Sequence, residues 1–165
     1  MKYFLVLPVL ALTLLLASCH HVAEPPPGQP ELVVDGRQIL VEPSLSRDFP
    51  WGSRDGDPLL VYIRLVASDS IALPVGLAAT RAWVVCNADV WETGLTEHVA
   101  WKSDFHSAYY ADGGPKWKLT PGLTADVTVR IIQSGGGTWD ILIRDCVVAS
   151  LQQCQSSSSR RPGCW

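Results

Sequence analysis

Arg160-Arg161 is the densest run of basic side chains in the chain, and nothing else approaches a Lys/Arg patch. With a formal charge of −3, the protein lacks the electrostatic footprint of a nucleic-acid binder, so nucleic acid is not an expected partner. Catalytic signatures are missing as well. The sequence has no HExxH, no serine nucleophile elbow and no reactive-cysteine context. Its one glycine run, Gly135-Gly136-Gly137, lies between strand-like segments, where it makes a turn and does not open a phosphate-binding helix. No Cys-x-x-Cys or His-x₃-His spacing marks a zinc site. Helical periodicity is absent too: the best stretch, "IALPVGLAATRA", is broken by Pro74 and Gly76. These absences exclude most enzyme classes, and the expectation is a protein without catalytic activity, cofactor or metal.

What is present begins with an address. Lys2 precedes an apolar run from Phe4 to Ala17, interrupted only by Pro8 and Thr13. That run is shorter than the roughly 20 residues a spanning helix needs. A positive start, a short apolar stretch and small residues at its end describe a secretory signal peptide, residues 1–18. Its last residues, Leu16-Ala17-Ser18, with the following Cys19, resemble the lipobox of bacterial lipoproteins. The resemblance implies that Cys19 receives a diacylglycerol and becomes the acylated first residue of the mature chain, with palmitate-type chains holding it to a membrane. Two or three acyl chains anchor stably where one does not. Where the Gram-negative sorting pattern places Asp for inner-membrane retention, this chain has His20. That implies the outer membrane, facing the periplasm or the cell surface.

Removing residues 1–18 of 165 leaves 147 residues and a charge of −4, because Lys2 is lost. That length supports one domain with a core of its own. Four cysteines remain, Cys86, Cys146, Cys154 and Cys164. An even number in an exported chain reads as two disulfides with three possible connectivities. The favoured pairing is Cys154–Cys164, closing "CQSSSSRRPGC", with Cys86–Cys146 joining two strands.

Residues 19–30 form a lipidated spacer whose three consecutive prolines make it extended and semi-rigid. Residues 31–150 then read as strands. Asp35-Gly36 between apolar runs is a strong hairpin signal. Leu59, Val61, Ile63 and Leu65 share one strand face, and "RAWVVCNADVW" is a covered strand. "TADVTVRII" alternates, with Ala125, Val127, Val129 and Ile131 inward, and "WDILIRDCVVAS" returns as its hairpin partner. The pattern predicts an all-β domain, an antiparallel β-sandwich or a small barrel, stabilised by disulfides. Cys86 and Cys146 with Trp101 between them resemble the inter-sheet disulfide and core tryptophan of immunoglobulin-like domains, although Arg144 stands where that fold has its corner tyrosine. Residues 151–165 read as a disulfide-closed or flexible tail.

Seven tryptophans are unusual for this length. Trp83 and Trp139 fall in or beside strands and read as structural. Trp51, Trp91, Trp101 and Trp117 fall near loops and are the candidate ligand platform, since exposed aromatic rings stack on sugars. Asp48, Asp55 and Asp57 cluster around "SRDGDP" but lack the ligand spacing of a calcium loop. His98, Asp104 and His106, with Asp112 further on, share one polar stretch without a catalytic motif around them. The reading that fits best is a lipid-anchored envelope module that binds or helps assemble a protein partner. A glycan- or peptidoglycan-binding lipoprotein is the alternative, and a small envelope hydrolase the weakest one.

Overall fold

The structure is a computed structural model, and it describes residues 24–47, 58–115 and 122–150. Nine strands lie among the described residues: β1 (Leu32–Val34), β2 (Arg37–Arg47), β3 (Leu59–Ala67), β4 (Leu77–Cys86), β5 (Asp89–Gly94), β6 (Thr96–Glu97), β7 (His106–Gly114), β8 (Thr124–Gln133) and β9 (Gly137–Ser150). A single 3₁₀ turn, Val99–Trp101, is the only helical element among the described residues. No helix among them is long and apolar enough to cross a membrane.

Local chemistry explains the hairpins. Asp35 and Gly36 both adopt positive φ, 54° and 75°, as a two-residue turn that follows the strand twist requires. β1 therefore folds back on β2 with Leu32 opposite Ile39. Gly135 and Gly136 likewise turn β8 into β9. Alternation does the rest: Ala125, Val127, Val129 and Ile131 are all buried, as are Leu59, Val61, Ile63 and Leu65. These two faces meet in the core with Leu45, Ile39, Ile141 and Val148. Thr128 breaks the simple alternation. It is buried although it points outward, because its register neighbours are Trp83 and Leu142.

The strands form one sheet in the order β5-β4-β8-β9-β2-β3-β7-β6, with β1 beside β2. It curls into a nearly closed barrel, and two devices close it. The end of β9 pairs with the end of β2, Leu45 opposite Val148. This pairing is parallel, so the sheet is not purely antiparallel. At the other seam β5 and β6 are the two outermost strands of the sheet, yet they are joined through Leu95 alone. One kinked segment therefore pairs with β4 in its first half and with β7 in its second. Strands that switch partners at a bend make corners in curved sheets. Inside this seam the Trp91 ring packs on Gly114, where a Cβ would lie 2.8 Å from the ring.

Two expectations are corrected here. The sheet is barrel-like, not an immunoglobulin-like sandwich, and Trp101 is no core residue: it lies on the 3₁₀ turn, 46% exposed. The Cys86–Cys146 bridge is not formed, and both residues are free thiols. Cys86 ends β4, whereas Cys146 lies on β9 opposite Ala125 of β8. The whole of β8 thus stands between the two cysteines. Two strand spacings come to about 9.6 Å, beyond the Cα separation of roughly 4.4–6.8 Å that a disulfide tolerates. Cys19, Cys154 and Cys164 lie outside the described residues, as do the signal segment and the tail.

The chain joins the barrel before β1. Gln29 N–H donates to Asp140 O and Gln29 O accepts from Leu142 N–H, both at 2.9 Å, and Gly28 lies against Leu142 so closely that a Cβ would not fit.

Candidate functional site: an apolar rim and a seam cleft

One end of the barrel carries two loops, 68–76 between β3 and β4 and 98–105 between β6 and β7. They are bonded to each other and to the strand ends: Leu73 N–H donates to Asp104 O at 2.7 Å and Ala67 N–H to Phe105 O at 3.0 Å. The first loop is held by Arg37, whose guanidinium takes both Asp69 carboxylate oxygens at 2.8 Å and also donates to the carbonyls of Ile71 and Ala72. That partner holds the Asp69 carboxyl well below the usual carboxylate range, with the Ile71 N–H helping.

With their backbones so committed, the loops leave large apolar side chains facing outward. Ile71, Val75, Val99, Trp101 and Phe105 are all exposed, Val75 at 91% and Val99 at 75%. Isolated exposed apolar residues are ordinary on protein surfaces, but five on two adjoining loops make this end the candidate docking surface.

Trp101 extends this rim over the outer face of β3 and β7. Its ring meets Tyr62 edge-on with centroids 5.5 Å apart, and His98 packs against Trp101 and Tyr110 at 5.5 and 5.8 Å. The Tyr62 hydroxyl and His98 Nδ1 are buried in this cluster without a hydrogen-bond partner. Burial raises the pKa of Tyr62, against a smaller pull from Arg64, which itself pairs with Glu42 across β2.

Beside the rim the seam opens into a cleft of about 610 Å³. Its origin is the shared β5–β6 segment: β5 pairs with β4 only from Arg81 onward, leaving Leu77–Thr80 without a strand neighbour on that side. Tyr109 of β7 fills part of the gap. Its hydroxyl donates to Leu77 O at 3.3 Å and meets the backbone of Ala79. Burial is the main reason its pKa is raised, with the nearby Ser107 hydroxyl opposing. Glu97 and Lys102, paired at 2.8 Å, stand at the mouth with Asp104.

Of the tryptophans named from sequence as ligand candidates, Trp101 is on the surface and Trp91 packs against the core; Trp51 and Trp117 lie outside the described residues. Trp83 is buried beneath the guanidinium of Arg130, 5.1 Å above the ring, which Asp140 holds bidentately at 2.8 Å. Trp139 also packs on the core. The histidines do not converge. His98 belongs to the aromatic cluster, while His106 Nδ1 pairs with Ser103 Oγ at 2.5 Å. Among the described residues no group of three or more His, Cys, Asp or Glu could hold a metal ion, and Asp48, Asp55 and Asp57 fall outside them. Sequence reasoning missed Tyr62, Ser107, Tyr109 and Tyr110. The signal was there in "HSAYYADGG", read as a polar loop but in fact β7, where Ser107 and Tyr109 alternate inward. Comparison of the chain with protein-family models, with curated proteins and with solved structures gave no match.

Proposed function

We propose that this protein is a lipid-anchored envelope module, held to the membrane through Cys19 and a Pro-rich spacer, that docks a protein partner and performs no chemistry on it. Outer-membrane attachment and a Cys154–Cys164 bridge in the tail belong to the same reading, as the lipobox resemblance and the even cysteine count suggest. The observation that carries it is the apolar rim. Its exposed side chains stand on loops whose backbones are tied down by Arg37 and by Leu73–Asp104, so the surface is already shaped before anything binds. A rigid patch loses little freedom on association and favours a specific partner.

The test is site-specific photocrosslinking in native membranes, with a photoreactive side chain at Val75 or Val99 of the full-length chain. One discrete adduct in good yield is expected from both positions and none from Val147, which is also exposed, at 59%, on β9 far from the rim. Equal labelling from all three positions, or none from any, would overturn the reading. Replacing Val75 and Val99 together by Ser should weaken capture by about tenfold or more, given roughly 25 cal/mol for each Å² of apolar surface.

A further inference from the structure

We propose that the seam cleft between β4 and β7 is a binding site for a neutral, hydroxyl-rich ligand, a short saccharide, with Ser107 Oγ as its deepest polar contact. Ser107 lines the cleft and is only 3% exposed, yet its Oγ makes no hydrogen bond of ordinary geometry: what it meets is the Tyr109 hydroxyl, whose own proton goes to Leu77 O. A buried hydroxyl so poorly paired lowers stability, and an alanine there would avoid the cost. Such a group is explained when something outside the fold completes it.

The rest of the lining says what that ligand carries. Ser134 Oγ directs its proton to Gly76 O at 3.5 Å, Thr80 Oγ1 to Arg130 O at 3.4 Å and the Tyr109 hydroxyl to Leu77 O at 3.3 Å. The Ser134 and Thr80 hydroxyls therefore offer the cleft lone pairs, not protons, while the Tyr109 oxygen is engaged by Ala79 and Ser107. Glu97 holds Lys102, so the one ammonium at the mouth is already engaged, and Asp104 adds a further acceptor. An acceptor-rich cleft disfavours phosphate and carboxylate and favours a molecule with several O–H or N–H donors. Leu73, Pro74 and Leu95 supply an apolar wall for the C–H face of a sugar ring. A peptide strand is the poorer fit, because the β4 edge is taken: Leu77 and Ala79 by Tyr109, Thr80 O by Leu95 N–H at 3.0 Å.

The experiment is calorimetric titration of the full-length chain, in a detergent without a sugar head group, with tri-N-acetylchitotriose, maltotriose and, as a donor-rich cation, spermidine. Saturable binding of one of the saccharides is expected, between about 10 µM and 1 mM. Ser107→Ala should weaken it by about tenfold while its melting midpoint stays equal to or rises above that of the unaltered protein. Val147→Ser should leave binding unchanged. The proposal falls if neither saccharide binds, if Ser107→Ala binds as well as the parent or melts earlier, or if spermidine alone binds. Photocrosslinking from the rim reads a different surface, so either proposal can fail without the other.

Discussion

The contrast between Ser107 and Tyr109, two inward neighbours on one strand, sets the energetics of the seam at the scale of single residues. Tyr109 spends its hydroxyl on the free edge of β4, standing in for a missing strand. Tyr109→Phe should cost about 1–2 kcal/mol in denaturant unfolding, since it leaves a buried carbonyl unpaired. Asp69 makes a second prediction, this time in pH. Its folded pKa lies below the unfolded value, so the folded state binds that proton less readily than the unfolded one. The stability it contributes is fully present above about pH 4 and is lost as the pH falls through the depressed folded value. Denaturant unfolding followed from pH 5 downward should show Asp69→Asn losing less stability on acidification than the parent. Identical acid limbs would mean that the Arg37 clasp adds nothing to the fold.

At the scale of elements, hairpins were legible and pairings between distant strands were not. Asp35-Gly36 and the glycine run after β8 carry their turn chemistry in adjacent residues, and the alternation of "TADVTVRII" places its own faces. The β2–β9 pairing joins Leu45 to Val148, and no local pattern announces it. The same limit misled the reading of the cysteines. An even number of thiols says nothing of register, and register puts β8 between Cys86 and Cys146. Peptide mapping of the unreduced protein should therefore find no link between those two residues. The Cys146 thiol, pushed up to about 11 by burial and by Asp126 and Asp145 nearby, should react with an alkylating reagent far more slowly at neutral pH than after unfolding. Of the candidate site, Trp101 and His98 were visible as residues of one loop-like stretch, but the rim itself depends on two loops meeting through Leu73 and Asp104. Gly114 tests the seam directly. Gly114→Ala would bring a methyl group within 2.8 Å of Trp91 and 2.7 Å of Leu59. It should lower stability by about 1–3 kcal/mol and shift tryptophan emission to the red as the ring is displaced.

For the whole molecule, closure depends on two seams of different character. Where β9 meets β2, ladder hydrogen bonds and the buried Val148 hold the edges together. Val148→Asp would place an unpaired charge there, and loss of a cooperative unfolding transition is the expected result. Where β5 gives way to β6, covalent continuity through Leu95 does the work and leaves the cleft beside it. The entry of the chain has a further consequence, a mechanical one. Gln29 is bonded to β9 through both its N–H and its carbonyl, and Leu32–Val34 then pair along β2. A pull on the chain ahead of Gln29 is thus divided at once between two neighbouring staves of the barrel, the same two whose far ends are stitched by the parallel pairing. A tether attached there would load β9 and the β1–β2 hairpin first, and through Arg37, which follows the turn of that hairpin, the load would reach the loop that carries Ile71 and Val75.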